Sequence, residues 1–488
     1  MNLTVCLLAS EVAPLSKTGG LGDVSGALAK YLHAAGHDVR LFTPFYSSID
    51  RSRLEIRPVQ GLQDVPLQLG THSYRFSVFS TELPRSTARV FLIDSPQLYS
   101  RPTLYTADAD EHLRFLAFTR AVFASCQQLA WAPRILHCND WHTAFGPLFL
   151  KARYSAERSF AATRSLLTIH NIGYQGAFPA TAVADLGLGA NSYLLHQDDL
   201  TAGTINPLKH GIMYADAITT VSPTHAREIC TDQYGMGMQQ ALRARGTALT
   251  GILNGVDYEE WDPRNDRFLP QPFDSSRLAV KAQLKRDFAA SLGINSAPDV
   301  PLAGIVSRLA SQKGVDLMIE ALPGLLQARN FNFVALGSGD AQYERFLADL
   351  QQLFPGRVHF KRGYDDKMAH WIEAACDLFL MPSLYEPCGL NQMYSLRYGT
   401  VPVVRKTGGL ADSVEHFDPA TGQGTGIVFN DYNAQALEWA VNTALDLYAQ
   451  PAHWARMVHN GMNRDFSWQK QGGLYVQLYE KMLRASSV

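Results

Sequence analysis

One short string of chemically useful residues occurs twice in the chain. Residues 17–24 read Lys-Thr-Gly-Gly-Leu-Gly-Asp-Val, and residues 406–410 repeat the first five of these in the other half. Each copy follows a β-like run and leads into a helix-like run. Paired glycines at such a turn let a ligand approach the backbone, where unpaired helix N–H groups suit a phosphate or a hydroxylated sugar. The repeat therefore predicts two related α/β domains that face a shared ligand.

Two cations follow the first apolar run of the second half. Arg308 and Lys313 come directly after the run 302–306, in the string Ser-Arg-Leu-Ala-Ser-Gln-Lys. An ordinary solvated loop before a helix would also explain them. Two cations at the mouth of a sheet, facing a Gly-rich turn, are nevertheless what a diphosphate leaving group requires where no metal-binding pattern is visible.

Two further motifs join a strand to a loop. Glu386 and Cys388 lie between the apolar run 378–381 and a helix that begins near Leu390. A carboxylate there can bind vicinal sugar hydroxyls while the following N–H groups point at phosphate, although Glu386 could instead only favour the helix N-terminus. Cys388 could be a small packing residue. His170 ends the run 165–169, and its neighbours Asn171 and 174–176 favour a functional role over a structural one.

Alternating strands and helices position these residues. The strand candidates are 3–8, 38–43, 89–93, 134–138, 165–169 and 217–221 in the first half, and 302–306, 333–336, 358–361, 378–381 and 401–404 in the second. Helical patterns between them, such as 23–34, predict parallel strands in doubly wound sheets, with an antiparallel excursion near 74–79. Binding loops of such sheets gather at the carboxyl ends of the strands. Turn and linker residues at 251–257 and 261–273 place a domain boundary near residue 248.

Composition excludes several classes of protein. The 488 residues allow two to four domains, and a net charge of −2 gives no general attraction to nucleic acid or acidic membranes. The six cysteines form no C-x-x-C pair, which argues against a disulfide framework or structural zinc and fits a reducing cytoplasm. No apolar segment is long enough for a membrane span. The string Gly337-Ser338-Gly339 lacks the third glycine of a dinucleotide site, which argues against NAD binding.

With these motifs assembled, the chain resembles the bacterial glycogen synthases and plant starch synthases, the ADP-glucose enzymes of glycosyltransferase family 5. The likeness covers essentially the whole chain. It is carried by residues 17–24, 139–142, 170–176, 252–257, 307–308, 312–314, 386–390 and 405–412.

This resemblance implies an α/β fold of the GT-B type, with two Rossmann-like, doubly wound domains facing a deep interdomain cleft. Residues 1–248 would form the N-terminal, acceptor-side domain, and residues 249–465 the C-terminal domain for the nucleotide-sugar donor. The aromatic-rich helix at 466–488 would cross back and complete the N-terminal domain.

The resemblance also implies a cytoplasmic, retaining glucosyltransferase of glycogen biosynthesis. It would move α-glucose from ADP-glucose to the non-reducing 4-hydroxyl of an α-1,4-glucan, without a metal or another cofactor and by a front-face displacement. Arg308, Lys313, Glu386 and His170 would be catalytic. The substrate-binding residues would be Lys17, Gly19, Gly20, Asp23, Asp140, Asn254, Lys285, Gly363, Tyr364, Cys388, Gly389, Leu390 and Thr407, with Tyr364 stacked on adenine.

Two positions depart from the wider GT-B pattern. Tyr394 stands where many retaining relatives have a ribose-binding glutamate, and Asn391 stands where many have threonine. A GT-B transferase that uses UDP-glucose or another acceptor, a nucleotide-sugar epimerase and an inactive glucan-binding homologue are the alternatives. Lys17, Arg308, Lys313 and Glu386 are all present, which argues against the inactive homologue. The sequence gives no indication of an oligomeric state.

Overall fold

A computed structural model describes residues 2–295 and 297–484, and the chain divides into two α/β units. The first unit runs to Gly255 and resumes at Trp468, and the second spans Val256–Ser467. The domain boundaries predicted after residues 248 and 465 therefore lie a few residues before the observed boundaries, which follow Gly255 and Ser467. At the first of them, Leu249–Gly251 pairs in parallel with Ala217–Thr220, so the first sheet continues beyond residue 248.

The first unit is built on a large mixed sheet. Its strands are β1 (Thr4–Leu8), β2 (Asp38–Pro44), β3 (Arg57–Pro58), β4 (Val65–Leu69), β5 (His72–Glu82), β6 (Arg89–Asp94), β7 (Ile135–Asn139), β8 (Arg164–Ile169), β9 (Phe178–Pro179), β10 (Thr204–Ile205), β11 (Ala217–Thr220) and β12 (Leu249–Gly251). The order is β12-β11-β8-β7-β1-β2-β6-β5-β3, with β4 beside β5 and with β9 and β10 forming a separate pair. Strand β5 runs antiparallel to its neighbours, which confirms the predicted excursion.

Helices connect the parallel strands of this unit. They are α1 (Gly20–Ala34), α2 (Pro96–Tyr99), α3 (Glu111–Gln128), α4 (Asp140–Thr143), α5 (Phe145–Ala152), α6 (Gln197–Thr201), α7 (Pro207–Tyr214), α8 (Pro223–Glu228) and α9 (Gln239–Arg245). In α1, Val24, Leu28 and Leu32 recur at helical spacing and are buried. The side chains of Asn206 and Ser222 accept backbone hydrogen bonds at the N-termini of α7 and α8.

The second unit has a parallel sheet in the order β15-β14-β13-β16-β17-β18. Its elements are β13 (Leu302–Leu309), β14 (Asn332–Gly339), β15 (Val358–Arg362), β16 (Leu378–Met381), β17 (Val401–Arg405), β18 (Ile427–Phe429), α10 (Leu278–Ser291), α11 (Val315–Ala328), α12 (Ala341–Leu353), α13 (Asp366–Ala375), α14 (Asn391–Tyr398), α15 (Gly408–Ser413), α16 (Ala434–Tyr448) and α17 (Pro451–Met462). An added Cβ at Gly337 or Gly339 would lie about 2 Å from a carbonyl oxygen of β13. Close strand contact therefore explains these glycines.

The last helix, α18 (Trp468–Arg484), belongs to the first unit. Tyr475 and Tyr479 on its inner face are fully buried, and the Tyr479 hydroxyl lies 2.8 Å from Nδ1 of His137 in β7. Gly472 packs against the ring of Tyr31 in α1. These contacts confirm that the C-terminal helix returns to the N-terminal domain. Among the helices in the described ranges, none has both the length and the apolar character to cross a bilayer.

Candidate active site

Most of the predicted site residues follow the carboxyl ends of parallel strands in their own unit, as the doubly wound topology requires. In the first unit, the loops after β1, β7, β8 and β12 carry Lys17–Asp23, Asp140, His170 and Asn254. In the second unit, β13 and the loops after β13, β15, β16 and β17 carry Arg308, Lys313, Gly363, Tyr364, Glu386 and Thr407. In each sheet, most candidate residues therefore lie at the side where the parallel strands have their carboxyl ends.

The first Lys-Thr-Gly-Gly loop is exposed and precedes α1. The Lys17 ammonium lies 2.8 Å from Oδ1 of Asp23, so two of the predicted donor-site residues form an ion pair. The Gly19 N–H donates to a carboxylate oxygen of Glu11 at 3.0 Å. In this structure the Gly19 N–H is thus already engaged, contrary to the expectation that it points at phosphate.

Glu11 is a site residue that the sequence did not reveal. Its buried carboxylate accepts hydrogen bonds from the Thr18 N–H, the Thr18 hydroxyl and the Gly19 N–H at 2.6–3.0 Å. The Tyr105 hydroxyl donates to the same carboxylate at 2.6 Å. Hydrogen bonds to an ionised acceptor are worth about 1.5–3 kcal/mol each, so Glu11 fixes the loop. The available signal was an acidic residue at the end of a buried strand.

Asp140 and His170 meet at the ends of β7 and β8. Oδ1 of Asp140 accepts from the His170 N–H at 2.7 Å and from the Asn171 N–H at 3.3 Å. Burial raises the pKa of Asp140 to about 7, against the lowering effect of these two hydrogen bonds. Asp140 also has a φ of 52°, a conformation that costs a non-glycine residue about 1–3 kcal/mol and is typical of functional sites.

The His170 imidazole is uncharged near neutral pH. Burial lowers the pKa of His170 to about 3, and Nε2 lies 2.9 Å from Oδ1 of Asn139. Because an amide oxygen only accepts, Nε2 carries the proton and Nδ1 carries the lone pair. His170 can therefore bind a hydroxyl group but is not poised to donate a proton as an imidazolium.

Asn254 lies on the segment after β12. Its side chain is buried, and its Oδ1 has no hydrogen-bond partner among the described residues. A buried amide oxygen without a donor costs about 1–3 kcal/mol, and a ligand hydroxyl would satisfy it. The position is consistent with the predicted sugar-binding role.

The charged centre of the second unit is an ion pair between two predicted catalytic residues. Nζ of Lys313 lies 2.6 Å from Oε2 of Glu386, and the Ser383 hydroxyl donates to the same oxygen at 3.1 Å. A terminal nitrogen of Arg308 donates to the side-chain oxygen of Gln312 at 3.0 Å. The sequence placed Arg308, Lys313 and Glu386 at one sheet edge but gave no sign of the direct Lys313–Glu386 contact.

The second Lys-Thr-Gly-Gly loop packs against the chain that follows Glu386. The Gly409 N–H donates to the Glu386 carbonyl oxygen at 3.0 Å, and Thr407 is the N-cap residue of α15. Cys388 is buried, Gly389 has a φ of 71° and Leu390 is the N-cap residue of α14. The predicted residues 388–390 therefore stand at a helix N-terminus, where the helix dipole favours an anion.

The residues after β15 and in α14 complete this edge. Tyr364 follows Gly363, and 66% of its surface is exposed. The Asn391 side chain donates to the Val306 carbonyl oxygen at 3.1 Å and so braces β13. Tyr394 is buried and stacks on Trp261 at 4.1 Å, so this side chain serves packing.

Lys285 corrects the sequence prediction. Its ammonium lies 2.9 Å from Oδ2 of Asp377 and also donates to the Val300 carbonyl oxygen and the Tyr448 hydroxyl. Asp377 and Val300 precede β16 and β13, which places Lys285 at the amino edge of the sheet, opposite Arg308 and Glu386. Lys285 is a buried structural cation, and its predicted donor-site role is wrong.

Comparisons with known proteins show the family of the chain. Residues 4–244 match the family model described as the starch synthase catalytic domain, and residues 291–461 match glycosyl transferases group 1. The chain is 43% identical to a glycogen synthase of Anaeromyxobacter dehalogenans (strain 2CP-1 / ATCC BAA-258), over 98% of this chain and 99% of that protein.

Two solved structures resemble the chain over nearly its full length. The catalytic domain of starch synthase IV from Arabidopsis thaliana, bound to ADP and acarbose, superposes with a TM-score of 0.92 at 33% identity, covering 99% of this chain and 100% of that one. A sucrose-phosphate synthase from Thermosynechococcus elongatus shares the fold alone, with a TM-score of 0.62 at 20% identity and 99% coverage of both chains.

Proposed function

Since the chain belongs to the glycogen and starch synthase family of glycosyltransferases, we propose that it moves α-glucose from ADP-glucose to the non-reducing 4-hydroxyl of an α-1,4-glucan. Glucosyl transfer in glycogen or starch biosynthesis follows from membership of the family, and so does the GT-B fold of two Rossmann-like domains. The nucleotide, the acceptor hydroxyl and the mechanism are the parts proposed here.

The observation that carries the proposal is the cluster of Arg308, Lys313 and Glu386 at one sheet edge. A departing diphosphate gains negative charge in the transition state, and fixed cations in a partly buried site stabilise that charge. Arg308 and Lys313 supply two such cations at the side of the sheet where the strands end and α14 and α15 begin. Glucose hydroxyls would bind Glu386, whose carboxylate is held by Lys313 and Ser383.

The ion pair also bears on stereochemistry. Retention through a glycosyl-enzyme would need a carboxylate that is available as a nucleophile on the far face of the sugar. Lys313 and Ser383 both engage Oε2 of Glu386, which suits a ligand for hydroxyls better than a nucleophile. We therefore favour a front-face displacement in which the leaving phosphate accepts the proton of the acceptor hydroxyl.

Residues of the first unit would bind sugar hydroxyls and the nucleotide. Asp140, His170 and Asn254 offer a carboxyl, a neutral imidazole and an unpaired amide oxygen, which are suitable partners for hydroxyl groups. Lys17 would meet the diphosphate once its ion pair with Asp23 exchanges for the ligand. In the second unit, the largely exposed Tyr364 would stack on adenine.

Transfer of radiolabelled glucose to glycogen from ADP-glucose and from UDP-glucose tests the proposal. We expect kcat/KM to be at least about tenfold higher with ADP-glucose, and transfer to continue after dialysis against EDTA. Preferential transfer from UDP-glucose would contradict the proposed donor. Release of free glucose or an epimerised sugar, without growth of the glucan, would contradict the proposed acceptor.

A further inference from the structure

A group of metal-binding side chains lies on the second unit, outside the residues assigned to glucosyl transfer. Asp366 and His370 are four residues apart on α13, a spacing that places both on one helix face. Glu260, on the segment before α10, lies against the same face. One ligand atom from each of these three residues falls within 4.8 Å of the other two.

The imidazole of His370 is held rigidly. Its Nδ1 lies 2.8 Å from Oδ2 of Asp266, and its ring stacks on Trp261 at 3.8 Å. The Asp266 carboxylate also accepts from the Tyr398 hydroxyl at 2.6 Å and from the Phe268 N–H at 2.8 Å. A carboxylate that orients a histidine in this way is the usual outer partner of a metal-bound imidazole.

The other nitrogen of His370 lacks the partner that its position demands. The Asp266 carboxylate accepts a hydrogen bond from the Nδ1–H group of His370. The proton of the neutral imidazole is therefore on Nδ1, and Nε2 presents a lone pair. His370 is only 1% exposed, and Nε2 has no hydrogen-bond partner among the described residues. Leaving such an atom unpaired costs about 1–3 kcal/mol, and the two carboxylates supply acceptor oxygens beside it. A cation would satisfy all three groups together.

We propose that Glu260, Asp366 and Nε2 of His370 form a site for a first-row divalent cation such as Zn²⁺. Imidazole with two carboxylates suits Zn²⁺ or Mn²⁺ better than Mg²⁺ or Ca²⁺, which prefer oxygen-only ligands. The exposed Glu260 side chain can rotate to close the ligand set, and water would complete the coordination.

One competing cation stands beside the site. A terminal nitrogen of Arg267 lies 3.6 Å from Oδ2 of Asp366, too far for a hydrogen bond, and both side chains are exposed. The Tyr364 hydroxyl donates to the other oxygen of Asp366 at 3.1 Å. A bound metal would therefore displace a loose ion pair and leave the Tyr364 contact in place.

Equilibrium dialysis of the full chain with ZnCl₂, and the visible absorption of Co²⁺ in its place, test the site. We expect one tightly held ion per chain, and Co²⁺ bands that report a nitrogen ligand. Glu260→Gln and Asp366→Asn should each weaken Zn²⁺ binding by at least about tenfold. Glu259→Gln removes a neighbouring carboxylate and should leave Zn²⁺ binding unchanged. Both ligand substitutions affect partly exposed side chains, so the variants should fold.

Each outcome decides the proposal. Selective loss in both ligand variants, with normal binding in Glu259→Gln, supports it. Binding that is unchanged in either ligand variant, or lost equally in the control, overturns it, because the ion would then lie elsewhere. The site does not depend on the proposed transfer reaction, so these binding measurements stand whether or not ADP-glucose proves to be the donor.

Discussion

The two Lys-Thr-Gly-Gly loops share a sequence but are supported in opposite ways. The first is exposed, and a Cβ added at Gly19 would have nothing within 4 Å apart from the adjoining chain. In the second, Thr407 and both glycines are buried, and a Cβ added at Gly408 would lie 1.9 Å from the Glu386 carbonyl oxygen. Gly409 is equally confined, at 2.1 Å from the Cys388 carbonyl oxygen.

The difference shows that one motif can need its glycines for two reasons. In the first loop the backbone is anchored by the carboxylate of Glu11, and an additional methyl group at Gly19 would be tolerated. In the second loop the glycines allow the backbone to touch the segment that presents Glu386. We therefore expect the first loop to respond to changes at Glu11 and the second to respond to changes at its glycines.

The largest effect should follow Gly408→Ala. The added methyl group overlaps a backbone oxygen, and Gly408 has a φ of 42°, so the free energy of unfolding should fall by about 3 kcal/mol. Gly19→Ala, at an extended φ of −154° in open space, should change it by less than about 0.5 kcal/mol. Urea unfolding of both variants measures the contrast. Equal losses would show that the two loops are held alike.

A smaller effect should follow removal of the Glu11 carboxylate. Glu11→Ala leaves the N–H groups of Thr18 and Gly19 without their acceptor, so we expect kcat/KM for the nucleotide sugar to fall about tenfold. Glu11→Gln should recover most of this loss, because an amide oxygen can accept from both N–H groups. Steady-state kinetics of the two variants are the measurement. Normal kinetics in Glu11→Ala would show that the loop needs no such anchor.

The smallest effect concerns pH and the buried carboxyl group of Asp140 in the first unit. Burial raises the pKa of Asp140 from 3.8 to about 7, so the folded state holds this proton more tightly than the unfolded chain. The contribution of protonated Asp140 to the free energy of unfolding is therefore fully present below about pH 4 and is lost as the pH rises through 7.

Asp140→Asn keeps the oxygen that accepts from His170 and Asn171 but does not titrate. The variant should gain a few degrees in Tm relative to the wild type between pH 5 and pH 8. Burial lowers the pKa of His170 to about 3, so the contribution of His170 to protein stability is lost as the pH falls below 6.5. Because His170 is present in both the variant and the wild type, this contribution cancels in the comparison. A difference in Tm that does not vary with pH would contradict the raised pKa of Asp140.

Apolar runs that end in glycine or polar residues made much of this architecture predictable. The strands at Thr4–Leu8, Leu302–Leu309 and Leu378–Met381 follow from such runs, and the parallel topology then brings their loops to one edge of each sheet. The strand Leu249–Gly251 was missed because three residues beside a Gly-rich segment carry too little pattern to distinguish a strand from a linker.

Side-chain partners could not be predicted in the same way. Lys285 resembles a ligand-binding lysine in the sequence, and only the position of Asp377 shows that it lies at the other edge of the sheet. Glu11 binds residues seven and eight positions further along an irregular loop, where no helical or strand period applies. The Lys313–Glu386 pair joins two loops that are 73 residues apart. Such contacts depend on the folded backbone.

The central claim is that Arg308 and Lys313 stabilise the departing nucleotide, and kcat for transfer from ADP-glucose tests it most directly. Arg308→Ala and Lys313→Ala should each lower kcat by about 100-fold, as removal of one preorganised donor does in other enzymes. Lys361→Ala removes a cation from β15, which β14 separates from β13 in the sheet, and should retain normal turnover. There Lys361 pairs with the partly exposed carboxylate of Asp365. Near-normal kcat in either Arg308→Ala or Lys313→Ala, with the variant folded, would contradict the account.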